Sequence, residues 1–215
     1  MTKPLLQLAL DCQDMATAIN SVEQVKDNID IIEVGTILAF SQGMDAVKTL
    51  RKSYPKHIIV CDMKATDAGS VLAKMVFESG ANWITVSAAA HIATIEASKK
   101  IADQFGGEIQ IELYGHWTYE DAKQWVDLGI TQAIYHRPRD AELAGIGWTE
   151  TDFEKIKKLS SLGLKLSITG GITPESLSLF NSFDVKAFIA GRGLTGDKGL
   201  EMAKSFQQAI NNHWS

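Results

Sequence analysis

Eight short apolar runs recur along the chain, and segments of helical spacing separate them. The runs are Leu5–Leu10, Ile31–Val34, Ile58–Cys61, Trp83–Val86, Ile109–Leu113, Gln132–Tyr135, Leu164–Ile168 and Ala187–Ala190. Most are continuous rather than alternating, as strands covered on both faces of a parallel sheet read. Between them, stripes such as Met15-Ile19-Val22-Val25, Met44-Val47-Leu50, Leu72-Met75-Val76, Ala122-Trp125-Val126, Phe153-Ile156-Leu159 and Met202-Phe206-Ile210 each leave a polar face free. Asp14, Thr118 with Asp121, and Thr173-Pro174 supply helix-start signals. Eight β-then-α units imply parallel strands joined by right-handed crossovers. A single-domain α/β chain of the (β/α)8 TIM-barrel type, spanning residues 1–215, is the first expectation. An open doubly wound sheet is the alternative, but the rhythm leaves no missing element to close.

At 215 residues, with 45% hydrophobic content, the chain matches one such barrel. The formal charge is −5. There is no run of basic residues, so neither nucleic acid nor an anionic membrane is an expected partner. No stretch approaches the ~20 apolar residues of a membrane helix, and no signal peptide is evident. A cytoplasmic location is expected. Two cysteines, Cys12 and Cys61, fit a reducing compartment and give no support for a disulfide.

Barrel enzymes work at the C-terminal ends of their strands, so the residues after each run are the candidates. Strand one ends in Asp11; strand two carries Glu33 and then Gly35. Strand three ends in Asp62-x-Lys64-x-x-Asp67, and alternation puts Asp62 and Lys64 on one face. Three ionisable groups in six residues are costly to bury and are better explained as a working site than as packing. Glu112 should face the barrel axis, and His136 and Arg139 follow strand six as an acid/base and an anion-steering group. Gly-rich turns at Thr169-Gly170-Gly171 and Gly191-Arg192-Gly193 offer backbone N–H groups and a guanidinium to a phosphate, or else simply permit tight turns. Glu33 and Asp62, on neighbouring strands, can hold Mg²⁺ or form two separate ion pairs. No Cys/His cluster supports zinc. His57, His91 and His213 read as structural, and His116 stays open. Trp117 and Trp148 are loop residues that could shape the mouth or a subunit contact.

The strand-three motif with the two Gly-rich turns resembles the orotidine 5′-monophosphate decarboxylase superfamily. Further motifs bring the resemblance nearer to its 3-keto-L-gulonate 6-phosphate decarboxylase family. They are Gln7-Leu8-Ala9-Leu10-Asp11, Ile31-Ile32-Glu33-Val34-Gly35-Thr36, Gln110-Ile111-Glu112-Leu113, Tyr135-His136-Arg137, Arg139-Asp140-Ala141, Thr169-Gly170-Gly171 and Ile189-Ala190-Gly191-Arg192. The orotidine branch usually has a lysine where Glu33 stands. The resemblance implies a homodimeric carboxy-lyase of L-ascorbate catabolism. The reaction would be Mg²⁺-dependent decarboxylation of a phosphorylated keto-sugar acid to L-xylulose 5-phosphate, through an enediolate. It implies that Glu33 and Asp62 ligate Mg²⁺, that Lys64 stabilises the intermediate, and that Asp67 reaches into the partner subunit's site. Asp62 and Asp67 would then hold Lys64 protonated. Asp11, Thr169, Gly170, Gly171, Gly191 and Arg192 would contact substrate, and Glu112, His136 and Arg139 would line the reacting end. The alternatives are an aldolase of the 3-hexulose-6-phosphate synthase type and a non-catalytic phosphate-binding module.

Overall fold

A computed structural model describes residues 2–137 and 144–214. Arg139 lies outside the described residues. Eight parallel strands close on themselves in sequence order, β1 against both β2 and β8. They are β1 (Leu5–Leu10), β2 (Ile31–Val34), β3 (Ile58–Ala65), β4 (Trp83–Ser87), β5 (Glu108–Leu113), β6 (Gln132–His136), β7 (Lys165–Thr169) and β8 (Val185–Ala190). The helices are α1 (Met15–Val25), α2 (Thr36–Gln42), α3 (Met44–Ser53), α4 (Gly69–Glu78), α5 (Ile92–Phe105), α6 (Tyr119–Asp127), α7 (Glu150–Ser161), α8 (Arg192–Thr195) and α9 (Gly199–His213). This is the (β/α)8 barrel that the rhythm of apolar runs implies.

The outward strand faces pack on the helices through buried Leu6, Leu8, Leu10, Ile32, Ile59, Ile84, Ile111 and Phe188. Inside, Ile31, Val60, Trp83 and Ala187 plug the N-terminal end, and Ala9, Ile134 and Ile189 form a separate apolar group. The barrel interior also carries buried Gln7, Thr85, Ser87, Gln110, Gln132 and Ser167. Gln110 donates to Gln132 at 3.1 Å. That bond satisfies a buried amide donor, which would cost about 1–3 kcal/mol if left unpaired.

Local signals account for most element starts. Asp14 caps α1 by accepting from Thr17 N at 2.8 Å, and Thr118 with Asp121 forms a full capping box on α6. His91 caps α5 through Nδ1, and His57 hydrogen-bonds Lys26 O, as structural residues do. The structure adds detail to the sequence reading at three places. Pro174 opens a 3₁₀ segment, Pro174–Phe180, rather than an α-helix. The short α2 directly after Gly35 has no apolar stripe long enough to announce it. The third strand runs on past Cys61 to Ala65, carrying Asp62 and Lys64 within it. Its register against β4 shifts between Cys61 and Ala65, and Lys64 has φ 46. A non-glycine residue in the left-handed region costs on the order of 1–3 kcal/mol and persists where surrounding contacts over-determine it. Simple alternation is therefore not what aims Lys64.

Cys12 and Cys61 are free thiols. Trp117 packs on Tyr119 and Trp125, and Trp148 on Tyr135, Phe153 and Phe180. Among the described residues, no helix is long and apolar enough to cross a membrane.

Candidate active site

One cavity of about 520 Å³ opens at the C-terminal mouth of the barrel. Its wall includes Asp11, Glu33, Asp62, Lys64, Glu112, His136, Thr169, Gly170, Gly171, Gly191 and Arg192. Every described residue that the sequence nominates is there except Asp67.

The acid–lysine cluster forms one wall. Lys64 Nζ donates to Asp62 Oδ2 and, at 2.9 Å, to Thr36 Oγ1. The Thr36 hydroxyl in turn donates to Asp62 Oδ2 at 2.5 Å, and Thr85 donates to Asp62 Oδ1 at 2.7 Å. Glu112 Oε2 lies 3.1 Å from Lys64 Nζ, an ion pair without hydrogen-bond alignment. Glu112 Oε1 accepts from His136 Nδ1 at 2.7 Å. Gln7 Nε2 donates to Glu33 Oε2. The Lys64 backbone N–H donates to Thr85 Oγ1 at 2.9 Å, which helps hold the left-handed turn.

Burial sets the charges. Three buried carboxyls, Glu33, Asp62 and Glu112, share one lysine. Burial disfavours the ammonium of Lys64, but Asp62, Glu112 and Glu33 outweigh it and raise its pKa well above the ordinary lysine range. Burial also opposes the charge on Asp62. The Lys64 ammonium and hydrogen bonds from Lys64, Thr36 and Thr85 prevail, and keep its carboxyl below the usual range. Glu33 takes the opposite course. Desolvation first, and then the neighbouring Asp62 charge, raise its pKa well above the ordinary value despite Lys64 and Gln7.

The opposite wall is Gly-rich. Gly170 has φ 102 and Gly171 φ 62, conformations that favour glycine. A Cβ on Gly170 would sit 2.3 Å from the carbonyl oxygen of Arg137. Thr173, Gly193 and Thr195 join this wall. Gly35 allows Asp11 to approach, since a Cβ there would lie 2.5 Å from Asp11 Oδ1.

Two placements differ from the sequence reading. Asp67 stands exposed beyond β3, its Oδ1 accepting from Ala68 N at 2.7 Å, outside the cavity of its own chain. Within one chain the second carboxylate beside Lys64 is Glu112, not Asp67. A reading by strand ends misses Thr36, Thr85 and Gln7. Thr36 follows the Gly35 turn, and Gln7 and Thr85 are polar residues inside apolar strands, which is the available signal.

A closed (β/α)8 barrel with an acid–lysine cluster facing a Gly-rich turn across its C-terminal mouth defines a barrel enzyme. The chain belongs to the orotidine 5′-phosphate decarboxylase / HUMPS family, whose model matches residues 4–205. A probable 3-keto-L-gulonate-6-phosphate decarboxylase of Haemophilus influenzae is 58% identical over 224 residues, spanning all of both chains. The crystal structure of 3-keto-L-gulonate-6-phosphate decarboxylase from Vibrio cholerae matches with TM-score 0.95 and 59% identity over the whole of both chains. A ligand-bound KGPDC of Streptococcus mutans matches with TM-score 0.96 and 43% identity, again over both full chains.

Proposed function

We propose that this chain decarboxylates 3-keto-L-gulonate 6-phosphate to L-xylulose 5-phosphate and CO₂, with Mg²⁺ as cofactor and an enediolate as intermediate. The observation that carries the reading is Lys64, largely buried and held charged between Asp62 and Glu112, facing the Gly170–Gly171 turn and Arg192 across one cavity. The relatives that match over full length carry the same activity in their names.

The chemistry follows from the charges. The bond between the carboxylate and the neighbouring carbon breaks, CO₂ departs, and the electron pair moves onto the adjacent ketone as an enediolate. Lys64 presents a fixed cation where that negative charge develops, which is the most effective form of catalysis a rigid site offers. The carbon then takes a proton, from water held by the Glu112–His136 pair, whose hydrogen bond orients the imidazole. Arg192 and the Gly-rich turn would hold the phosphate, and Asp11 the sugar hydroxyls.

The metal reading is supported by the donor set. Glu33 and Asp62 are hard oxygen donors on neighbouring strands, gathered with Glu112 around the Lys64 ammonium. Among the described residues there is no cluster of three or more His, Cys, Asp or Glu side chains suited to a metal. Two carboxylates completed by water and substrate oxygens suit Mg²⁺. When bound, the ion would act as a Lewis acid toward the substrate's adjacent oxygens.

The homodimer with a shared Asp67 is the third part of the proposal. Helix α4, which follows Asp67 in the chain, exposes Val71 (58%) and Met75 (45%), and α2 exposes Phe40 (83%), more apolar surface than a solvated face requires. Asp67, exposed and outside the cavity of its own chain, would serve a neighbour's site in this reading. Mixing inactive Lys64→Ala and Asp67→Ala chains is expected to restore up to roughly a quarter of wild-type activity, because half of randomly re-formed dimers hold one intact site of two. No recovery despite demonstrated subunit exchange would count against sharing.

The deciding experiment for the reaction is CO₂ release from 3-keto-L-gulonate 6-phosphate, with L-xylulose 5-phosphate identified as product. Formaldehyde-dependent consumption of ribulose 5-phosphate in its place would assign the aldolase chemistry instead.

A further inference from the structure

Arg137 has no part in the chemistry above, and it is not in the wall of the cavity. It sits behind the Gly-rich turn and is anchored there from several sides. Its backbone N–H donates to Thr169 O at 3.1 Å, adding a rung to the β6–β7 ladder beyond the strand ends. Its Nε–H donates to Gly170 O at 2.9 Å. Its Nη1 donates to Ile146 O at 3.0 Å. The guanidinium carbon lies 5.1 Å from the ring centroid of Trp148. Two backbone acceptors and an aromatic face fix a planar fork in a way that an ammonium cannot reproduce.

The consequence lies in one peptide unit. Gly170 contributes its carbonyl and Gly171 the N–H of the same bond. The chain has no cis peptide among its described residues, so the two groups point in opposite directions. Gly170, at φ 102, and Gly171, at φ 62, are free to flip that unit at little steric cost. Arg137 removes the freedom by holding the carbonyl against its own guanidinium, which is not among the lining residues, while the Gly170–Gly171 turn lines the cavity.

We infer that Arg137 is a positioning residue: by clamping the Gly170 carbonyl it aims the Gly171 N–H into the pocket as a donor for the substrate's phosphate. The inference rests on the reading that this turn receives the phosphate. It assigns to Arg137 an effect on anion affinity rather than on the reacting carbon.

The test is titration of inorganic phosphate into wild-type and Arg137→Met protein by calorimetry, alongside steady-state kinetics and thermal unfolding. Phosphate should bind the variant about tenfold more weakly, the loss of one well-aimed donor. KM should rise by a similar factor, while kcat changes by less than about threefold. Equal phosphate affinity in the two proteins overturns the inference, as does a fall in kcat or in unfolding temperature with KM and phosphate affinity unmoved. If Arg137→Met does not fold, Arg137→Gln, which keeps a polar stem too short for Gly170 O, is held to the same numbers. A wild-type protein that binds no phosphate overturns the reading of the turn itself, and the inference with it.

Discussion

Lys64→Ala is expected to reduce CO₂ release by at least about 10²- to 10³-fold, the usual cost of deleting one preorganised charge, while the barrel still forms. The same substitution should alter stability in a pH-dependent way. With the ammonium gone, its opposition to burial is lost: the folded pKa of Asp62 should rise, and that of Glu33, already raised, should rise further. Such groups cost nothing below their unfolded pKa, about 4. The penalty grows as pH rises through the folded pKa. The variant should therefore lose most stability, relative to wild type, at neutral and alkaline pH and converge with it in acid. Thermal unfolding from about pH 4 to 9, beside a CO₂ assay, checks both halves. Turnover within a few-fold of wild type would remove Lys64 from the mechanism. A stability deficit independent of pH would mean that the lysine is not the counter-ion of this cluster.

Removal of divalent metal should have an effect of similar size. Treatment with EDTA is expected to abolish turnover and added Mg²⁺ to restore it. In the proposed site, burial and the Asp62 charge raise the pKa of Glu33, which sets Mg²⁺ in competition with a proton there. Affinity for Mg²⁺ should then climb with pH, by up to about tenfold per unit while Glu33 remains protonated. Glu33→Gln removes both the ligand and the proton. It should weaken metal binding by more than the ~10–100-fold that follows loss of an outer-shell partner, and flatten the pH dependence. Its folded state should gain stability at high pH relative to metal-free wild type, because a buried carboxylate no longer has to ionise. Calorimetric Mg²⁺ titrations at three pH values decide the matter. Full activity in the chelated enzyme would overturn the metal assignment.

Much of the fold could be read from local pattern. A strand buried on both faces must be apolar along its length, so the runs from Leu5 to Ala190 announce themselves, and all but the last start within one residue of the observed strand. The polar residues that end those runs were equally legible, because a charged group at a strand end has few purely structural excuses. The limits are as physical as the successes. Asp67 and Lys64 are three residues apart, yet only Lys64 lines the cavity, because β3 bulges and Ala68 takes a left-handed conformation before α4. Thr36 looks like the end of a turn until the fold brings it under Asp62 and Lys64.

By itself, the sequence determined the eightfold alternation, and with it the barrel, the end at which a site can form and the residues that reach it. Each of these depends on burial and charge along a short stretch of chain. Only the tertiary structure decided which of those residues meet. Lys64 of β3 reaches Glu112 of β5 because β4 places the small, buried Thr85 and Ser87 between them, with Ser87 in register with Glu112. That contact depends on barrel stagger and on one backbone turn at φ 46, quantities set by the closure of all eight strands together and by no single segment.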